Sequence, residues 1–442
     1  MLFHPDKTAM QIRYYLVIFY VIIFLQSCKT GSVNLFKPAS PHELYQRKLA
    51  AAGLDKTSLG TAWMNAASPN TQKTQDINLP FKETGYFPKD KTPANFYKFR
   101  VNMGKKITIS LKQQPDAIAR IYLDLWELTQ QGTKALASAD TLGHSIAIEV
   151  SQQADYLLRV QPELLQSAGY TLEITEGPSL GFPTKAGRNN IRSFWGDGRD
   201  ENTRKHEGVD IFGSFRSPVV ATAKGRVTRV NENNLGGKVV WLRPEDKDYT
   251  LYYAHLDEQL AVEGQQVSKG DTLGLMGNTG NARTTAPHLH FGIYKPAGAV
   301  DPLPFIDPLI RAAPEIQASL DKLNKTMRTV SEVTLKETGE RPSLTLSKGT
   351  ILTVNAAHAN LYTIELPDGR LATLNSNQIT EATVPISSIK LAQNQTLLYD
   401  APKSSAAIKA MLIKGDQVKV LGNFESYQLI RDEASRIGWI LR

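Results

Sequence analysis

The chain has 442 residues, is 41% hydrophobic and 8% aromatic, and carries a formal net charge of +8. That is an ordinary globular composition, which excludes a wholly disordered or low-complexity chain and predicts about two to four domains. The basic residues are scattered rather than striped and no nucleic-acid motif occurs, so nucleic acid is excluded as a partner, while the oligomeric state is left open.

At the N-terminus, Arg13 precedes the apolar run Tyr14 to Leu25. The run is too short to span a bilayer, which takes about 20 residues. Its length suits the apolar segment of a secretory signal. It ends in Leu25-Gln26-Ser27-Cys28, and Cys28 is the only cysteine, so the chain forms no internal disulfide. This ending resembles a bacterial lipobox. The resemblance implies that residues 1–27 are a lipoprotein signal peptide and that Cys28 becomes a lipidated first residue. It also implies export, with the membrane as a partner through the lipid, and a place in the cell envelope at the outer membrane facing the periplasm. Met10 offers a second start, because Met10-Gln11-Ile12-Arg13 makes a compact basic lead-in.

Residues 28–90 read as a linker with one short helix from Pro41 to about Ala50, followed by a polar stretch from Ser68 to Gln75. From Phe96 the pattern alternates. Short strand-like runs at 96–101, 107–111, 121–126, 156–160 and 170–174 predict a β-sandwich accessory domain over 91–178. His144 lies in this region with no evident partner.

Four of the eight histidines fall between residues 206 and 290. The segments are His206-Glu207-Gly208-Val209-Asp210, Tyr252-Tyr253-Ala254-His255 and Pro287-His288-Leu289-His290. Leu289 to Tyr294 reads as a strand, and residues two apart on a strand share a face, so His288 and His290 point into one cleft. Val209 to Phe212 and Thr250 to His255 also read as strands. Gly208 argues against a helix between His206 and Asp210, and a bend there brings the two together instead. A His-x-His or a His-x-x-x-Asp alone is weak evidence; the three segments together, in order on strand-like runs, suit a zinc site. With sulfur absent, imidazole and carboxylate must do the binding, and a catalytic zinc keeps three protein ligands and one open position.

Residues 185–310 resemble the lysostaphin-type, or LytM-like, zinc endopeptidases of peptidoglycan. The similarity runs beyond the histidines, through Ser217 to Val227, Gly264 to Asp271, Gly274 to Gly280 and Val300-Asp301-Pro302. It departs at Ala286, where the family commonly has glycine, and Phe194-Trp195 occupies the stretch where its transition-state tyrosine is sought, so no tyrosine is given that role. The resemblance implies that His206, Asp210 and His290 hold one catalytic Zn²⁺ and that His255 and His288 are the catalytic histidines. One is then a general base and the other an oxyanion donor, in an order the sequence leaves open. Glu207 invites a rival assignment as base, but no histidine follows at the fourth position, and it is read as a supporting or surface residue.

Residues 311–325 read as a helical linker. Beyond it lies an internal repeat with Lys348-Gly349 and Val354 echoed by Lys414-Gly415 and Val420, and with Tyr362 and Tyr427 at similar points. Residues 321–380 and 387–442 look like bacterial SH3-like domains, which often bind wall peptides. The expected architecture is therefore mainly β and multidomain: an N-terminal β-sandwich, a central antiparallel β zinc-peptidase domain and C-terminal SH3-like barrels. The expected function is zinc-dependent endopeptidase cleavage of peptidoglycan peptides. The alternative is a non-catalytic wall-binding scaffold, or an activator of a separate wall amidase.

Overall fold

The computed structural model describes residues 38–68, 74–113, 119–142, 145–199, 201–335 and 344–442. Residues 1–27, expected as a signal peptide, Cys28, expected to carry lipid, and His144 lie outside the described residues. Among the described residues no helix is long and apolar enough to cross a membrane.

The chain is mainly β, built on several sheets. Helices Pro41–Ala51 and Ser58–Ala66 come first. Thr57 starts the second by accepting the Gly60 N–H at 3.1 Å, a side-chain cap that satisfies an end donor. Trp63 from this helix is buried, donates its indole N–H to Pro162 O at 2.8 Å and stacks on His42.

The sandwich that follows has two sheets. One runs in the order Thr74–Asp76, Asn95–Val101, Ala154–Pro162, Ile121–Thr129, Gly132–Asp140. The other contains Phe81–Phe87, Ala168–Pro178, Lys105–Gln113 and Ile146–Glu149. Tyr97, Ile107, Leu125, Leu158 and Leu172 fill the space between them. Each such side chain, fully buried, contributes about 1.5–3 kcal/mol.

The stretch expected as linker, 28–90, is thus corrected: it holds two helices and the strands Thr74–Asp76 and Phe81–Phe87. Phe81–Phe87 hides its strand character because its inward positions are not uniformly apolar. Glu83 is fully buried, its Oε1 accepting from Tyr97 at 2.5 Å and Tyr170 at 2.8 Å while its Oε2 has no hydrogen-bond partner among the described residues.

The Phe81–Phe87 strand also pairs on its other edge with Ile351–His358, placing Thr84 opposite Ala357 and Gly85 opposite Ala356. The second sandwich sheet therefore continues into the C-terminal region as one nine-stranded sheet. Lys82 to Glu315 at 3.1 Å and Lys91 to Glu365 at 2.8 Å reinforce the seam. Between these paired regions along the chain, residues 191–300 form a ten-stranded sheet. It is fastened to the sandwich by Phe305 against Gly104, by Lys295 Nζ to Ser151 O at 3.0 Å and by Lys247 to Glu149 at 2.6 Å.

Residues 311–325 are not helical. One 3₁₀ turn, Leu320–Lys322, interrupts an extended path. Pro314 disfavours a helix through Ala313, and the N–H groups of Gln317 and Ala318 both donate to Ala359 O. The repeat has a structural counterpart. Gly349 and Gly415 both turn with positive φ, at 80° and 100°, into the strands Ile351–His358 and Gln417–Phe424. Tyr362 and Tyr427 lie in the strands that follow. The two C-terminal regions share apolar packing, since Phe424, Leu429 and Trp439 join the cluster around Leu352, Val354 and Ile364.

Candidate metal centre and active site

The strand His288–Lys295 lies between Val209–Phe212 and Thr250–Gln259. Leu289, Phe291 and Ile293 point into a core shared with Val209, Ile211, Leu251 and Tyr253. The alternate positions, His288 and His290, are left for the opposite face. Register then does the grouping: Asp210 sits opposite His290, and Phe212 opposite His288.

His206 arrives through a bend at Gly208. A Cβ there would lie 2.5 Å from Phe291 O and 2.7 Å from the His290 ring, so only glycine lets the chain pass. His206 Nε2 stands 2.9 Å from His290 Nδ1, and Asp210 Oδ1 is 3.0 Å from each of those nitrogens. These three ligand atoms form a convergent group, a nitrogen, nitrogen and oxygen donor set that fits a zinc ion. Burial alone would raise the Asp210 carboxyl; hydrogen bonds from His206 and His290, and their charges, outweigh it and hold the group well below the ordinary carboxylate range.

A loop from Ser193 to His206, with a small hairpin pairing Gly198–Arg199 and Arg204–Lys205, wraps this group. His206 Nδ1 is 2.8 Å from Phe194 O and 3.2 Å from Ser193 Oγ. Arg199 Nη2 donates to Asp210 Oδ2 at 2.8 Å and to Ser193 Oγ at 2.6 Å. Asp197 accepts from Ser193 Oγ at 2.9 Å and from the Phe194 N–H at 2.7 Å.

His255 and His288 stand beside the group, with ring centroids 4.9 Å apart and His255 5.9 Å from His290. His255 occupies a bulge where the ladder to Gly237–Pro244 gains a residue, and its φ is +62°. Such a backbone costs a non-glycine residue about 1–3 kcal/mol and is retained where it aims a side chain. Its N–H donates to Gly236 O at 2.7 Å, and its Nδ1 lies 2.9 Å from Thr279 O. His288 Nδ1 lies 2.9 Å from Ala286 O, and its ring stacks on Phe212, with Arg192 over that same phenyl. Burial first, then the charges of His288 and His290, push His255 down to about 4.

The structure thus brings all five expected residues together. Glu207 is exposed and turned aside, accepting from Tyr294 at 3.4 Å. Sequence reasoning missed Arg199, Ser193, Phe212 and Thr279. Phe212 was within reach, since it lies two residues beyond Asp210 on a recognised strand. Thr279 holds His255 through its backbone carbonyl, which no side-chain motif reports.

An antiparallel sheet thus carries, on one face, a His-Asp-His group able to hold a metal ion, with two further histidines beside it. Residues 204–302 match Peptidase family M23, and the chain carries a Peptidase M23 domain. The L-Ala–D-Glu endopeptidase of Bacillus subtilis is 36% identical over 127 residues, 26% of this chain and 39% of that protein. The murein hydrolase activator NlpD of Salmonella typhimurium is 37% identical over 102 residues, 23% of this chain and 26% of that protein. The chain thus spans well under half the length of these curated relatives. Among solved structures, the catalytic domain of lysostaphin from Staphylococcus simulans is 31% identical, covering 26% of this chain and 92% of that one, with a TM-score of 0.25.

Proposed function

We propose that residues 185–310 are a zinc-dependent endopeptidase that hydrolyses peptide bonds in peptidoglycan. The observation that carries this reading is the meeting of His206 Nε2, Asp210 Oδ1 and His290 Nδ1 beside two histidines tethered by backbone carbonyls. His206, Asp210 and His290 are the residues that would hold the metal. When bound, zinc supplies a Lewis acid for the scissile carbonyl and lowers the pKa of water to about 7. With Nδ1 engaged by Thr279 O, neutral His255 keeps a bare Nε2 that accepts a proton, and we assign it as general base. His288, braced by Phe212 and with its own Nδ1 on Ala286 O, is the companion that donates to the developing oxyanion through Nε2 when its ring carries both protons.

The similarity to NlpD favours a second reading, a scaffold that activates a separate wall hydrolase. Mass spectrometry of fragments released from purified peptidoglycan separates the two. New peptide ends produced by the zinc-loaded full chain, and not by His206→Ala, support the peptidase. No new ends, together with faster cleavage by an added wall amidase, support the scaffold.

We further propose that residues 1–27 are a lipoprotein signal and that Cys28 carries lipid. The wild-type chain should then partition into detergent phase and Cys28→Ala should not; a wholly soluble wild type without lipid mass overturns this. Residues 321–380 and 387–442 are proposed as SH3-like modules that bind wall peptides. The paired turns at Gly349 and Gly415, each leading into a strand, support two copies of one unit.

A further inference from the structure

We propose that Arg199 is a positioning residue that restricts Asp210 to a single ligating oxygen. The inference rests on the zinc-peptidase reading of the site and assigns a role to a residue outside the five that reading uses.

The two oxygens of Asp210 have different surroundings. Oδ1 faces His206 Nε2 and His290 Nδ1, at 3.0 Å from each. Oδ2 is taken by Arg199 Nη2 at 2.8 Å. A carboxylate flanked only by imidazoles can offer a metal one oxygen or both. With Oδ2 drawn toward the guanidinium by a charge-assisted bond, the shorter and stronger kind, Oδ1 is the oxygen turned to the two imidazole nitrogens. The same Nη2 donates to Ser193 Oγ, which reaches His206 Nδ1 at 3.2 Å. One guanidinium is therefore tied directly to one proposed ligand and through a hydroxyl to another. Asp197 holds that hydroxyl from the far side, so the guanidinium is aimed by its surroundings rather than resting on a mobile surface. Arg199 is 28% exposed and Asp210 11%, so this pair is shielded from solvent on the carboxylate side. Such partners orient the ligand they touch and set how tightly the metal is held.

Lysine is not an equivalent substitute. Its ammonium is a point charge on a shorter stem, and two acceptors held in place by a planar group are not matched by it. The structure therefore predicts a graded loss, with Arg199→Met worse than Arg199→Lys.

The test uses the full chain loaded with zinc or cobalt(II). Zinc affinity is measured by competition with a chromophoric chelator. Cobalt(II) reports coordination number, because its visible absorption is strong when four-coordinate and weak when more groups bind. Arg199→Met should weaken zinc by about tenfold or more, within the roughly 10–100-fold that loss of such a partner costs. Its cobalt band should fall as Asp210 takes up its second oxygen. Arg199→Lys should lie between wild type and Arg199→Met in both readouts, and it decides the matter alone if Arg199→Met fails to fold. The melting temperature of the metal-free protein should stay near wild type, while the increment produced by zinc shrinks. Unchanged zinc affinity and an unchanged cobalt band in the folded variants overturn the proposal. A metal-free melting temperature that falls while the cobalt band keeps its strength also overturns it, by making Arg199 merely structural. A wild type that binds no zinc is a different failure, that of the zinc-peptidase reading itself.

Discussion

The Nδ1 atom of His255 lies 2.9 Å from the carbonyl oxygen of Thr279, and this contact decides which ring nitrogen is left for chemistry. A carbonyl only accepts, so Nδ1 carries the proton and the neutral ring turns a bare Nε2 outward. The left-handed backbone at His255 makes that contact possible by lifting the residue out of the regular ladder.

Removing this ring should separate chemistry from metal binding. His255→Ala should keep zinc near one per chain while peptide cleavage falls roughly 10²–10⁴-fold, the worth of an acid–base or electrostatic group. His206→Ala should lose both. Metal analysis and a wall-peptide cleavage assay on the two variants check the pattern, and equal zinc loss in both would refute the division of roles.

Gly208→Ala should damage the centre without touching a ligand. The added methyl meets Phe291 O and the His290 ring at 2.5 and 2.7 Å, and neither strand can yield freely. A stability loss of about 1–3 kcal/mol is expected for such overpacking, with weakened zinc binding. Denaturant unfolding and metal content are the measurements.

Glu83 makes the fold sensitive to pH. Burial is the main cause that pushes its carboxyl from 4.5 up to about 6, against the bonds from Tyr97 and Tyr170, which lower it. The folded state therefore holds a proton that the unfolded state releases between pH 4.5 and 6. The stability linked to that proton is present below pH 4.5 and lost as pH rises through 6, at a cost of about 2 kcal/mol. Glu83→Gln should flatten this part of the stability profile. Urea unfolding of both proteins from pH 4 to pH 8 gives the answer, and parallel profiles would contradict it.

Ending the chain after residue 315 should destabilise the sandwich as well as remove the tail. It strips the Phe81–Phe87 strand of its partner Ile351–His358 and leaves an open, apolar edge. A fall of about 5 °C or more in the melting temperature of the remaining protein is expected. Scanning calorimetry would show it, and an unchanged sandwich transition would mean that the seam contributes little.

Much of the site's layout was legible in the sequence because it is written in period two. His288 and His290 are two apart, and Val209 to Phe212 and Thr250 to His255 are rich in β-branched and aromatic residues. The bend at Gly208 was legible because a glycine stood where a helix was otherwise possible. What was not legible depends on partners distant in sequence or on backbone atoms. Arg199 finds Asp210 through a hairpin whose turn leaves no periodic trace. Phe81 to Phe87 was passed over because a buried acid interrupts its apolar face. The helix expected over 311–325 fails at Pro314, and backbone donors there turn to Ala359 O instead.

The shared nine-stranded sheet also sets an order of assembly. The strand Phe81–Phe87 waits for a neighbour about 270 residues further on, and pairing over such a span is slow to nucleate. The central sheet, whose strands lie close together along the chain, can form first, like a knot tied in the middle of a cord. Until the later segment is delivered, the early strand shows a bare edge to every other chain nearby. The newly made protein is thus most exposed to wrong partners while its cleft is already built, and a holding chaperone would matter most in that interval.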